Sequence, residues 1–456
     1  MYYGYLKANK MQRIHFLLLP ILLGMVIGCD NHTRSSLAKT ERTEAKKKNL
    51  PDGVLTDNGN KVVTREMVQS SLITTSRSEA MKTPRQTSQD GKHSALFQVP
   101  QIKSSWDDLT DGIHTQADWH QRRAELKTRY LELLRDKHKP QKPALDIKIH
   151  EEVVVDGLYR RQLISYFVES DERAHAYLGI PLKVEGKAPA IVALHGTYKY
   201  GKKRAAGLVD DPDKAYLDHL CRRGYVVIAP EHFVSGSRIP PKGPYDTGQF
   251  YKKHPEWTAV GKFTYEHSIA IDVLQTLDEV DGNRIGALGH SLGGHGTFFL
   301  AAYDQRIKAS ASNCAAAFFR HNLNVTAWSR DHWYVYFKPI RQELLKGKMP
   351  PIDMHEIIAL IAPRAFMDLS ALNDGDGQTQ RQRLLMLMKI MDIYELAEAP
   401  HNFGFYVHGR KHSVAHESRQ LMYGWMDTHL KPPKATQTHL VSPESEKNAS
   451  PSNAER

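Results

Sequence analysis

The sequence predicts an α/β fold with a mostly parallel central sheet flanked by helices, and three observations predict it. Ala188 to Leu194 is almost continuously apolar, as a strand covered on both faces must be. From Ala215 to Leu430 short apolar runs alternate with longer amphipathic ones, the rhythm of strand–helix–strand units that build parallel sheets. Between a short strand candidate, Arg284 to Leu288, and an apolar helical face, Thr297 to Ala302, lies Gly289-His290-Ser291-Leu292-Gly293-Gly294. A G-x-S-x-G serine at a strand-to-helix corner is held above the sheet edge, where the helix N-terminus and the next amide favour negative charge beside it.

The chain has 456 residues, room for one α/β domain of about 300 residues with peripheral segments. Phe16 to Ile27 is an apolar run after Lys10 and Arg13, too short to span a bilayer comfortably and read as a signal-peptide core. It exits through Val26-Ile27-Gly28-Cys29, which resembles a bacterial lipobox. Residues 1–28 are therefore expected to be a lipoprotein signal peptide, with Cys29 lipidated and the protein exported and anchored to a bacterial membrane. Met11 is an alternative start that would set a compact basic region before the apolar core. Residues 29–101, rich in Ser, Thr, Lys, Asn and Gln, read as a flexible tether.

Residues 102–143 are expected to be a helical extension packed on the catalytic domain, with Trp119, Leu126, Tyr130 and Leu133 on one face and a proline-bearing boundary after Lys137. The domain itself is placed at 144–431 and a disordered tail at 432–456. Within the domain, Leu145–Val155, Gln162–Val168 and Ala176–Ile180 read as antiparallel strands. Helices are expected at 215–222, 265–280, 295–303, 357–360, 381–394 and 417–430. Strands are expected at 188–194, 223–230, 285–288, 307–312, 364–369 and 403–407.

Composition removes several functions. The net charge of +11 comes without aromatic–basic interleaving or a recognition helix, so no nucleic-acid partner is expected. There is no C-x-x-C pair and no H-E-x-x-H, so neither metal nor cofactor is expected. Cys221 and Cys314, in apolar or small-residue surroundings, read as buried thiols.

A catalytic set follows Ser291 in chain order. Asn373-Asp374-Gly375-Asp376-Gly377 lies just past a strand, where a flexible loop can carry an acid to an imidazole; Asp374 is preferred and Asp376 stays open. Of His401, His408, His412 and His416, His412 sits in the turn between the last strand and the last helix and is the preferred base. The Leu292 amide and an amide of Gly196 or Thr197, at the end of the 188–194 strand, would form an oxyanion hole.

These stretches, with IVALHGT at 191–197, GYVVIAPEHF at 224–233, YDQRIKASASNC at 303–314, HEIIALIAPRAF at 355–366 and GRKHSVAHESRQLMYGWMDTHL at 409–430, resemble the α/β-hydrolase superfamily. The likeness is closer to its dienelactone-hydrolase and acetyl-xylan-esterase-like branch. The resemblance implies the α/β-hydrolase fold, with Ser291 as nucleophile, His412 as base and Asp374 or Asp376 as acid. Lys411 departs from the glycine that relatives often carry before the histidine. Serine in place of the dienelactone hydrolases' cysteine favours carboxylic esters.

Phe318 to Tyr336 breaks the strand–helix rhythm and is rich in aromatics, so it is expected to form a cap excursion over the sheet's carboxyl edge. Trp328, Trp333 and Tyr334, with His195, Glu231 and His232, are the candidate pocket residues. Lys242, Tyr245, Lys252 and Lys253 are further candidates for the entry. The expectation is a serine ester hydrolase that removes acetyl or a related acyl group from a small-molecule or carbohydrate ester. A peptidase or amidase with the same triad, and a non-catalytic surface-binding lipoprotein, are the alternatives.

Overall fold

In the described chain a nine-stranded sheet runs β1-β2-β3-β5-β4-β6-β7-β8-β9; the computed structural model describes residues 105–322 and 325–431. The expected signal peptide, the expected lipidation site at Cys29, the expected tether and the expected tail lie outside the described residues. Among the described residues, no helix is long and apolar enough to cross a membrane.

The strands are β1 (Lys148–Val155), β2 (Tyr159–Glu169), β3 (Glu172–Pro181), β4 (Ala188–Leu194), β5 (Val226–Pro230), β6 (Val280–His290), β7 (Ile307–Asn313), β8 (Ala365–Ala371) and β9 (Phe403–His408). The first three are antiparallel, β3 joins β5 antiparallel, and β5-β4-β6-β7-β8-β9 is parallel throughout. The expected mostly parallel α/β sheet is the observed one. The helices are α1 (Gln116–Leu134), α2 (Lys202–Ala205), α3 (Tyr216–Arg222), α4 (Gly248–Lys253), α5 (Ala259–Gln275), α6 (Leu292–Tyr303), α7 (Arg341–Leu345), α8 (Met354–Ala359), α9 (Gly377–Leu396) and α10 (His416–Leu430).

Strand alternation divides the core in two. Ala190, Val192 and Leu194 of β4 face a large cluster with α1, α5, α6, α8 and α9, while Ile191 and Ala193 face a smaller one with α3 and α10. Both faces of β4 are thus dry, which is why its sequence does not alternate. Helix α5 starts at Ala259 and ends at Gln275, not at the expected 265 and 280. Thr258 accepts the Gly261 N–H and sets the start, and Val280 already pairs with Ala188 in the sheet.

Helix α1 opens with a capping box between Thr115 and Asp118 and buries Trp119, Leu126, Tyr130, Leu133 and Leu134 in the larger cluster. Its polar face also closes other helices. Lys127 Nζ donates to the carbonyls of Ala302 (2.8 Å) and Tyr303 (2.9 Å), and Tyr130 Oη to that of Phe299 (2.7 Å), the last turn of α6. Arg123 does the same for Leu360 beyond α8. A helix leaves its final carbonyls without intrahelical partners, so this N-terminal segment supplies donors that the buried α6 lacks. Burial, then the charges of Arg364 and Arg123, lower the Lys127 ammonium to about 8.

One core acid stands apart from these satisfied groups. Asp368 on β8 is fully buried; Ser370 Oγ donates to Oδ2 at 2.6 Å, while Oδ1 has no partner among the described residues. Burial pushes its carboxyl up to about 6, against the opposing Ser370 bond. With the folded value above the ordinary one near 3.9, the native state holds an extra proton between the two, so this group's contribution to stability falls as pH rises through that window. The unfolding free energy of Asp368→Asn relative to the parent is therefore expected to rise by about 2 kcal/mol from about pH 4 to about pH 7 in denaturant titrations; a difference independent of pH contradicts it.

Candidate functional site

The corner after β6 is built on close approach. Ser291 has φ 59° and ψ −120°, a left-handed backbone that costs a non-glycine residue about 1–3 kcal/mol. A Cβ on Gly293 would lie 2.1 Å from the Leu194 carbonyl oxygen, and one on Gly289 would lie 2.5 Å from the Gly293 backbone. Only glycine fits either place, so the chain turns within one residue and α6 starts at Leu292. The Ser291 N–H donates to Asn313 O at 2.9 Å, and its carbonyl accepts from His295 N at 2.9 Å, joining the serine to β7 on one side and α6 on the other. Its half-buried side chain stands at the N-terminus of α6.

His412 arrives from the loop between β9 and α10, and Asp374 from the loop after β8. His412 Nδ1 donates to Asp374 Oδ2 at 2.7 Å, which leaves Nε2 as the ring's acceptor. Burial raises the Asp374 carboxyl, but the hydrogen bond and charge of His412 outweigh it and hold the group below the usual carboxylate range. The two loops are tied a second time where Asn373 Nδ2 donates to Gly409 O at 2.5 Å. The His412 ring lies against His290, centroids 4.6 Å apart, so it borders the residue immediately before Ser291. Asp376 is elsewhere: it caps α9, accepting the Thr379 N–H at 2.9 Å and Thr379 Oγ1 at 2.6 Å. His408 is buried at the end of β9, and His401 and His416 are exposed.

The loop after β4 meets the same corner. A Cβ on Gly196 would stand 3.6 Å from Ser291 Cβ and 3.1 Å from His290 O, which brings the Gly196–Thr197 backbone beside the serine. Tyr245 Oη fixes this loop: it accepts the Tyr198 N–H at 2.8 Å and contacts Tyr198 O at 3.1 Å. His195 Nδ1 donates to Gly196 O at 2.8 Å while Nε2 accepts the His232 N–H at 3.1 Å, one tautomer serving both bonds.

Of the candidate pocket residues, most are built into packing. Glu231 is buried in an ion pair with Lys202 at 2.9 Å, His232 Nε2 meets Tyr334 Oη at 2.7 Å, and Trp328 packs edge-on against His295 at 4.7 Å. His195, Trp328 and Tyr334 are likewise buried, whereas Trp333 is 46% exposed. Its indole sits edge-on to Tyr245 at 6.5 Å with Arg330 over the ring at 5.2 Å, and among the three candidate aromatics it is the exposed one. Tyr245, expected at an entry, is buried, and Lys253 is taken up by Glu169 and Asp171; Lys242 and Lys252 are exposed.

Sequence reasoning passed over His290 and Asn313, read Cys314 only as a buried thiol, and placed Tyr245 at an entry rather than beneath the 196–198 loop. His290 Nδ1 donates to Asn313 Oδ1 at 2.7 Å, and burial, then the His412 charge, lower His290 to about 3. His295 is lowered to about 3 by burial and then His412, so the rings around His412 are neutral. Cys314, the first residue after β7, has its Sγ within 4.8 Å of the His412 and Asp374 ligand atoms. The available signal was positional: each of the first three stands at the carboxyl end of a strand beside β4 or β8.

Parts of the chain are similar to known proteins. The profile described as "Glucuronyl esterase, fungi" matches residues 240–395. A Bacillus subtilis (strain 168) protein named "Putative hydrolase YtaP" is 30% identical over 212 residues, 44% of this chain and 66% of its own. Carbohydrate esterase MZ0003, from an unknown prokaryotic organism, is 30% identical over 138 residues, 28% of this chain and 32% of its own. The chain is thus similar to a broad group of esterases and hydrolases. The chain matches less than two thirds of the length of each of these curated relatives. A glucuronoyl esterase from Solibacter usitatus has the same fold, with a TM-score of 0.56 and 18% identity over 70% of this chain and 94% of that one.

The two aspartates are separable by experiment. Asp374→Asn is expected to abolish the downfield His412 Nδ1–H proton resonance and to lower any hydrolytic kcat by about 10⁴-fold. Asp376→Ala should leave both within a few fold while costing about 1 kcal/mol of stability through the lost cap. The reverse pattern would exchange their roles.

Proposed function

We propose that the protein is a serine hydrolase of carbohydrate carboxylic esters, working through an acyl-enzyme on Ser291. The observation that carries the reading is the 2.7 Å bond from His412 Nδ1 to Asp374, made beside the residue that precedes a serine at a strained strand-to-helix corner. Ser291 Oγ attacks the ester carbonyl as His412 Nε2 takes its proton. Asp374 holds the tautomer and stabilises the imidazolium. The oxyanion meets the Leu292 N–H, one of the unpaired donors of a helix start, and the Gly196 or Thr197 N–H. One such donor is worth about 3–4 kcal/mol in the transition state. His412 then returns the proton to the leaving alcohol, and water, activated by the same imidazole, releases the acid.

The sugar preference rests on the relatives' names and on Trp333, whose exposed ring suits the CH surface of a pyranose. The reading in which an acetyl group leaves a sugar hydroxyl is the first choice. A second reading places the sugar on the acid side, as a uronic acid ester, and is favoured by the glucuronyl-esterase match over residues 240–395.

The deciding experiment measures acetate release from acetylated oligosaccharides, methanol release from methyl-esterified uronic acid oligosaccharides, and cleavage of peptides. Ester turnover is expected, with Ser291→Ala lowering kcat by at least about 10⁴-fold; faster peptide cleavage, or undiminished turnover in the variant, overturns the proposal. Separately, Trp333→Ala should raise KM for the oligosaccharide ester about tenfold while kcat on a small aryl ester is unchanged. An unchanged KM removes Trp333 from sugar recognition.

A further inference from the structure

We propose that Cys314, Asp374 and His412 form a binding site for a zinc-like divalent cation, and that filling it switches the hydrolase off. One ligand atom from each lies within 4.8 Å of the others. They come from three neighbouring loops at the sheet's carboxyl edge: after β7, after β8 and after β9. Thiolate, imidazole and carboxylate are a donor set that zinc and cadmium take in preference to magnesium or calcium. Three protein ligands with one open position is an arrangement zinc accepts, the fourth place going to water.

The backbone fixes the thiol without committing it to a strong partner. Cys314 has φ 51°, its N–H donates to Leu369 O at 2.7 Å, and its Sγ makes a long 3.6 Å contact to Ser413 O. Its side chain is buried while the His412 side chain is 45% and the Asp374 side chain 26% exposed. An ion therefore enters from the solvent side, through the two exposed ligands, and closes onto the sulfur beneath.

The consequence for chemistry follows from proton bookkeeping. An ion inserted between His412 Nδ1 and Asp374 replaces the proton that now joins them. Neutral imidazole keeps its single proton, which moves through solvent to Nε2, and the Cys314 S–H proton is released as the sulfur–metal bond forms. Nothing is oxidised or reduced. With Nε2 protonated the ring accepts nothing from Ser291, so hydrolysis stops until the ion is removed. Cation binding stands on the cluster alone; the inhibition rests on the proposed function.

The test uses the full chain freed of metal with a chelator, titrated with cadmium while the ultraviolet thiolate-to-cadmium charge-transfer band is followed. A band saturating at one ion per chain is expected, displaced by zinc, with ester turnover falling as zinc is added and returning on chelation. Cys314→Ser should lose the band, weaken zinc inhibition by at least about tenfold and keep metal-free turnover within about twofold. Ser291→Ala should keep the band, so failure of the esterase reading and failure of the metal site give different results. A second readout needs no variant: zinc should protect Cys314 from alkylation, located by mass spectrometry. Absence of a band, a band that survives Cys314→Ser, or alkylation of Cys314 unaffected by zinc overturns the proposal.

Discussion

The site depends on one backbone constraint, the turn at Ser291. A residue with a side chain holds φ 59° because its neighbours leave no alternative. A Cβ at Gly289 would meet the Gly293 backbone, and Leu194 O occupies the space a Cβ at 293 would need. Because β4 supplies that oxygen, the loop after β4 is brought beside the serine by the contact that forces the turn. Ser291 and the loop after β4 are therefore one packing problem, solved where the carboxyl ends of β4, β6 and β7 are buried at the centre of the sheet.

Much of the remaining structure supplies partners to the backbone carbonyls and charges around that centre. Helix α6 is apolar around almost its whole circumference, so water cannot serve its last carbonyls. Lys127 and Tyr130 of α1 and Arg364 before β8 do so instead. The loop from Glu231 to Trp257 is fastened in a comparable way. Arg238 and Lys262 share Glu172 and Glu266 in a buried network, and its Tyr245 holds the 196–198 loop. Removing one member of such a network leaves an uncompensated charge in a dry place, which binds distant segments to the geometry of the site.

The electrostatic pattern is equally economical. Burial lowers the protonation of His195, His232, His267, His290 and His295, so these rings act as neutral hydrogen-bonding or packing groups. His412 alone among the site's histidines combines an exposed ring with an ionised carboxylate partner. In the proposed mechanism the developing positive charge of a general base thus has a single place to reside, and Asp374 faces it.

The sequence by itself determined the fold class, the strand-to-helix serine and the order in which serine, acid and histidine follow. These rest on local periodicity, on glycine at positions that tolerate nothing larger, and on turns whose residues are contiguous. It left Asp374 and Asp376 open because both sit in one glycine-rich loop, and the difference between capping α9 and reaching His412 is a matter of direction in space. It also grouped Trp328, Trp333 and Tyr334 as sugar-facing candidates by composition, when exposure divides them. Tertiary structure decided which acid meets the imidazole, which aromatic stays exposed, and that His290 and Cys314 border the site. Those contacts join strands whose relative placement comes from packing across the sheet, and no spacing along the chain encodes them.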